Sequence, residues 1–271
     1  MFLPENIDLA YSERYNLSIR LSPNGFSFCI HCPGDAAIFH FQETKLSGKL
    51  SYIDNIKKLI FDLGFFSQAF NQVTVTVVSP FYTLVPDIYF DKRRTEELFH
   101  FNFHERKGII LTDNHLGDDI RTLFNIDEEV HSFLSRSLWN PIFHHHSSLL
   151  IQLFQSQKRD EAEKCCFADF HDDYLTISSF SGNRLLSTNT FQAIDPHDTT
   201  YFIASVWEKL NFDQSTERLF LSGNIEAQKS TVDLLKKLIR RIEQVELRPK
   251  VILTEEQKRT IPTDMVAILC A

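Results

Sequence analysis

Leu17, Ile19 and Leu21 alternate with polar neighbours across residues 15–21, the period-two pattern of a strand with one apolar face. Ser22-Pro23-Asn24-Gly25 is a hairpin turn, residues 26–32 form a second strand, Pro33-Gly34-Asp35 turns again, and residues 36–42 form a third. Ile53, Ile56, Ile60 and Leu63 then fall at near-helical spacing and predict a helix over 51–69. The alternating stretch Val73-Thr74-Val75-Thr76-Val77-Val78 is a strand closed by Ser79-Pro80. Three strands, a helix and a strand make one unit.

A second such unit starts at Cys165. Residues 165–170, 174–180 and 184–191 read as three strands joined by His171-Asp172-Asp173 and Ser181-Gly182-Asn183. Asp195-Pro196 opens a helix as N-cap and first helical residue, and Ile203, Val206, Trp207 and Leu210 share one face. Leu219-Phe220-Leu221 is a short strand ending at Ser222-Gly223-Asn224. A helix over 226–244 and a closing strand at 251–253 complete the order βββαβαβ.

Laid side by side, residues 26–34 and 174–182 have equal length, and the next strands end in Phe41-Gln42 and Phe191-Gln192. Agreement of order and spacing points to an internal duplication. The expected domains are 1–157, a first half carrying an inserted segment at 81–103 and a hairpin at 108–126, and 158–271, a second half. Within the first, helices at 127–139 and 147–155 flank a strand at 141–146. The polar stretch 155–164 is the expected boundary.

Two consecutive βββαβα units describe the duplicated ribonuclease-H-like fold of actin, sugar kinases and heat-shock ATPases. The chain resembles an uncharacterised bacterial family with an actin-like ATPase fold. The likeness is carried by Ser79-Pro80-Phe81-Tyr82-Thr83-Leu84-Val85-Pro86, by Asn189-Thr190-Phe191 with Asp195, Asp198 and Tyr201, and by Leu219-Phe220-Leu221-Ser222-Gly223. More remotely it is similar to cytoplasmic actin-like proteins that assemble pili and secretion platforms. That family carries no activity to transfer.

The resemblance implies ATP and Mg²⁺ held between two β-hairpins, with a carboxylate on the first strand of a unit directing the metal-bound phosphate or water. In the first half the strand end carries Arg20 and Leu21 where an acid is wanted, and Pro23 removes a donor. In the second half Asp169 has a suitable strand position, but its turn lacks glycine. The turn Ser222-Gly223-Asn224 offers a close approach to a nucleotide at a helix start. Asp169, Gly223 and Asn224 are therefore the candidate cofactor-binding residues, as a vestigial nucleotide site. No catalytic set is assigned.

Composition excludes more than it suggests. A net charge of −8 over 271 residues disfavours nucleic acid. No apolar run is long enough to span a bilayer, and the first residues, with Glu5 and Asp8, lack the apolar core of an export signal. Five cysteines, an odd count, fit a reducing cytoplasm. Cys29 and Cys32 on a strand point to opposite faces and cannot share an ion; Cys165-Cys166 alternates in and out of a buried strand. Of His144-His145-His146, with His131 upstream, only His144 and His146 share a strand face, so no metal set is assigned. Asp87, Asp91 and Lys92-Arg93-Arg94 read as a solvated loop, Asp118-Asp119 and Asp172-Asp173 as acids in turns, and Lys236, Lys237, Arg240 and Arg241 as a solvated helix face.

The expected fold is α/β, two tandem ribonuclease-H-like units in the actin-like architecture, with a cleft between halves. The residues favour a non-catalytic cytoplasmic scaffold that binds a protein partner or itself. The alternative is a nucleotide-binding switch or kinase-like ATPase with divergent loops, resting on Asp169 and the Gly223 turn. Fold alone gives only an analogy for function.

Overall fold

The computed structural model describes residues 3–104, 106–114, 120–161, 163–171, 173–192 and 195–270. The chain divides into two compact units, Met1–Ser148 with Lys250–Leu253, and Leu149–Pro249 with Thr254–Ala271.

In the first unit, β1 (Asn16–Ser22), β2 (Gly25–Cys32) and β3 (Asp35–Lys45) form the predicted meander. Helix α1 (Tyr52–Asp62) returns the chain to β4 (Gln72–Val77), which pairs parallel with β1. An insertion follows: β5 (Tyr82–Pro86), α2 (Thr95–His100), β6 (Ile109–Asn114) and β7 (Ile120–Ile126), whose strands make a separate antiparallel sheet in the order β5-β7-β6. After α3 (Glu128–Ser137), β8 (Ile142–His145) adds parallel to β4 and completes a sheet ordered β3-β2-β1-β4-β8.

Helix α4 (His146–Gln155) leads into the second unit. There β9 (Lys164–His171), β10 (Tyr174–Ser181), β11 (Arg184–Gln192), α5 (Pro196–Lys209), β12 (Arg218–Gly223), α6 (Lys229–Leu235) and β13 (Arg241–Gln244) build a sheet ordered β11-β10-β9-β12-β13. The strand order matches that of the first unit. Two further helices, α7 (Glu255–Thr260) and α8 (Thr263–Cys270), close the chain.

Each main sheet buries one apolar face under helices. Leu17, Ile19, Phe28, Val75, Ile56 and Ile60 are among the first core; Ala168, Ile177, Leu219, Ile203 and Trp207 are among the second. Helices α1 and α5 end alike. After α1, the Gly64 amide donates to the Phe61 carbonyl and the Phe65 amide to that of Ile60; after α5, Asn211 donates to Glu208 and Phe212 to Trp207. This is the Schellman stop, with Gly64 at φ 72° and Asn211 at φ 50°, and its apolar clasp in the second unit is Trp207 against Phe212.

The stop at Gly64 corrects the helix expected over 51–69, which ends at Asp62. The helix expected over 226–244 is also corrected. It begins as a 3-10 turn, Glu226–Gln228, and α6 ends at Leu235. The Arg240 amide then donates to the Gln214 carbonyl and β13 joins β12, because sheet pairing outweighs a periodicity that serves both states. The closing strand is therefore β13. Residues 251–253 are not a strand, and the Ile252 amide instead donates to the Ala36 carbonyl. Helix α8 escapes sequence reading because it is buried nearly all round and has no polar stripe to give it a period.

Candidate functional site

Asp169 lies on β9, where Ser222 is its parallel partner on β12 and Thr176 its antiparallel partner on β10. The Ser222 hydroxyl donates to Asp169 Oδ1 at 2.6 Å, and His171 Nε2 lies 4.0 Å from Oδ2. The same His171 nitrogen is 3.1 Å from Thr176 Oγ1, which in turn meets Thr190 Oγ1 at 2.9 Å. Asp169 is 1 % exposed, and Ser222, His171 and Thr176 are buried with it. A buried carboxylate needs such partners to remain in place. The group encloses an acid in a buried network of hydroxyls and one imidazole.

Gly223 follows directly. Its φ is 77°, and a Cβ there would stand 2.0 Å from the Phe170 carbonyl oxygen, so β12 reaches β9 this closely only through glycine. The structure therefore brings Asp169, Gly223 and Asn224 to one end of the β9–β12 pair. Several backbone donors of the turn are taken up internally: Asn224 N–H donates to the Phe170 carbonyl, Ile225 to that of Gly223, and Gln228 to that of Ile225. The Ala227 N–H goes to the Asn224 side chain at 3.3 Å.

In the first unit the position of Asp169 belongs to Arg20. Arg20 opposes Ser27 on β2 and Thr76 on β4, as Asp169 opposes Thr176 and Ser222. It is 2 % exposed, and the row continues through Glu43 on β3 and His144 on β8. A magnesium nucleotide fits these residues poorly. The first-strand acid is a permanent cation in one unit, and in the other the turn's amides are already engaged.

The histidine run is built differently from a metal site. Asp113, 4 % exposed on β6, accepts from His144 Nδ1 at 2.9 Å and from the His145 amide at 3.0 Å. Burial raises its pKa, but the His144 contact, the His145 amide and Ser148 together outweigh this and hold it below the ordinary value. His145 Nδ1 accepts from the Ser147 hydroxyl (2.7 Å) and amide, while Nε2 donates to the Ser79 carbonyl at 3.0 Å, which fixes the neutral tautomer. Acid and serine thus contact different imidazoles, so no nucleophilic triad is formed. Asp113 escaped sequence reading, since nothing in its strand marks it.

Among the described residues no three His, Cys, Asp or Glu side chains gather as a metal set. Cys29 and Cys166 are fully buried, and burial pushes each thiol up to about 12. In the inserted segment Arg121 pairs with Asp87, and Asp91 caps the turn holding Lys92-Arg93-Arg94. Lys236, Lys237, Arg240 and Arg241 are exposed. Asp118-Asp119 and Asp172 lie outside the described residues.

The chain belongs to a family of proteins of unknown function, DUF3822, whose model matches residues 4–242. It is similar to a Bacteroides thetaiotaomicron protein with actin-like ATPase fold and unknown function, at 28 % identity and TM-score 0.84 over 98 % of this chain and 99 % of that one. It is also similar to a chain of the PilM–PilN type IV pilus biogenesis complex, at 12 % identity and TM-score 0.58 over 94 % of this chain and 97 % of that one. No curated protein sequence matches it. The fold is that of the actin-like ATPases, two tandem ribonuclease-H-like units. Among the described residues no helix is long and apolar enough to cross a membrane.

Proposed function

We propose that this member of the family is a non-catalytic scaffold of the actin-like fold, which binds a protein partner or a second copy of itself. The observation that carries the reading is Arg20, a buried cation where the fold calls for a metal-directing acid. The engaged amides around Gly223 add to it. The likeness to a chain of a pilus biogenesis complex is consistent with partner binding by this fold. We read the two units as copies of one ancestral repeat, on their common strand order and matching helix stops. A bacterial, cytoplasmic protein fits the reading, as does the odd count of five cysteines.

A second reading, a nucleotide-dependent switch, is favoured by one observation: Asp169 remains an acid, beside a glycine turn. Thermal melting with and without millimolar Mg·ATP, Mg·ADP and Mg·GTP separates the two, together with a phosphate-release assay. A scaffold gives no turnover and no magnesium-dependent shift. A ligand at a hundredfold over its Kd adds about 2.7 kcal/mol, so binding is visible as a rise of several degrees. Turnover abolished by Asp169→Asn would overturn the scaffold reading.

A further inference from the structure

Phe61, near the end of α1, is 54 % exposed, and Phe66 in the loop after it is 45 % exposed. Their rings are 4.9 Å apart, and Phe61 also meets Phe133 of α3 at 6.2 Å. The Ser67 amide donates to the Ser137 carbonyl, which ties this loop to the end of α3. Just beyond Ser137, Trp139 is 61 % exposed. Single exposed apolar side chains are ordinary; aromatic rings gathered in one place are not. The backbone is bent to hold them there. Two of the three described non-glycine residues with positive φ flank the cluster, Ser67 at 59° and Asn140 at 43°, a conformation that costs such residues free energy.

We propose that this face of the first unit, built on Phe61, Phe66, Phe133 and Trp139, is the surface through which the chain pairs with a second copy of itself about a two-fold axis. An aromatic side chain carries about 150–250 Å², so the three most exposed of these, each open by about half, present roughly 300 Å² of apolar surface. Each side of a standard interface contributes about 800 Å², of which about 450 Å² is apolar. The cluster thus supplies more than half of the apolar area that a stable dimer needs.

The rim decides the occupant. Lys57 and Lys58 precede Phe61 by about one helical turn, and Arg136 follows Phe133 by the same interval. These are positive, whereas Asp62 beside Phe61 and Glu129 one turn before Phe133 are negative. A two-fold axis lays a rim upon itself, so a rim of one sign repels its own copy and a rim of both signs matches it. The same mixture gives no attraction to an anionic membrane surface, which selects lysine and arginine alone. The proposal rests on the scaffold reading, to which it gives a surface and an occupant. Turnover overturns that reading, whereas a monomer overturns this surface only.

The experiment is sedimentation velocity of the full chain from about 1 to 300 µM, a range that brackets micromolar Kd values, with tryptophan emission read on the same samples. The chain has two tryptophans and Trp207 is 3 % exposed, so a shift on association reports Trp139. The expected result is a dimer that forms as concentration rises, together with a blue shift in emission. Phe61→Ser and Trp139→Ser should each weaken it about a hundredfold, because a truncation worth about tenfold enters twice in a two-fold interface. Both side chains are largely exposed, so these variants keep the wild-type urea midpoint. Tyr201→Ser, exposed on α5 of the second unit, should leave the dimer unchanged. A monomer throughout, or a dimer that Phe61→Ser and Trp139→Ser leave intact, overturns the proposal. So does a monomer that binds phosphatidylglycerol vesicles through the same residues.

Discussion

Arg20 and Asp169 stand at corresponding points of two sheets with the same strand order. Each lies two residues before the one that closes the first hairpin, Ser22 opposite Gly25 and His171 opposite Tyr174. Each opposes a hydroxyl residue on both neighbouring strands, and each is buried. The two units therefore place an arginine and an aspartic acid in one architectural position, and a ligand that needs an acid in both does not suit the fold as this chain builds it.

Asp169 depends on its hydroxyl partner. Ser222→Ala removes the 2.6 Å bond to a carboxylate that is 1 % exposed. It is expected to lower stability by roughly 1–3 kcal/mol, read as a lower urea midpoint at unchanged slope. A midpoint equal to wild type would mean that Asp169 does not need Ser222.

Gly223 permits the approach of β12 to β9. A Cβ at φ 77° and 2.0 Å from a backbone oxygen forces the strands apart, so Gly223→Ala is expected to cost more than about 2 kcal/mol. Gly48, where a Cβ meets nothing within 4 Å, is the control, and Gly48→Ala should stay within about 0.5 kcal/mol of wild type. Both are measured by chemical denaturation.

Stability should fall on mild acidification. Burial lowers the pKa of His31, His40 and His131 below 6.5, all in the first unit. Below 6.5 the unfolded chain therefore takes up protons that the fold refuses, so stability is lost as pH falls from 6.5 through the lowered values. Asp113, whose pKa is lowered from 3.8, contributes stability above that value and loses it as pH falls further. Urea midpoints between pH 8 and pH 3 should drop in two stages. A flat profile from pH 7 to pH 5 would rule out the histidine part, and His31→Asn should reduce the first stage while His40 and His131 keep the rest.

Much of this architecture was legible along the chain. The hairpin turn at Ser22-Pro23-Asn24-Gly25 and the Asp195-Pro196 helix start were marked by local chemistry, and the structure has them there. Gly64 carried a stop signal that the apolar spacing beyond it concealed. The stretch 226–244 failed for another reason: Leu235, Ile239 and Ile242 suit a helix or a strand, and only the open edge of β12 decided it.

The sequence by itself determined the βββαβ order that opens each unit, because alternation, spacing and capping act over a few residues. It also supplied the contrast between Arg20 and Asp169 as residue types. Tertiary structure alone decided that on the central strands β1, β2, β9 and β10 the polar face is buried as well as the apolar one. Alternation predicts that one face is apolar; whether the other meets water depends on what packs against it. Asp169 thereby becomes an enclosed acid held by Ser222, and Asp113 becomes the anchor of His144 and His145 from a distant strand. Those contacts join residues 53 and about 31 positions apart, a separation at which periodicity carries no information.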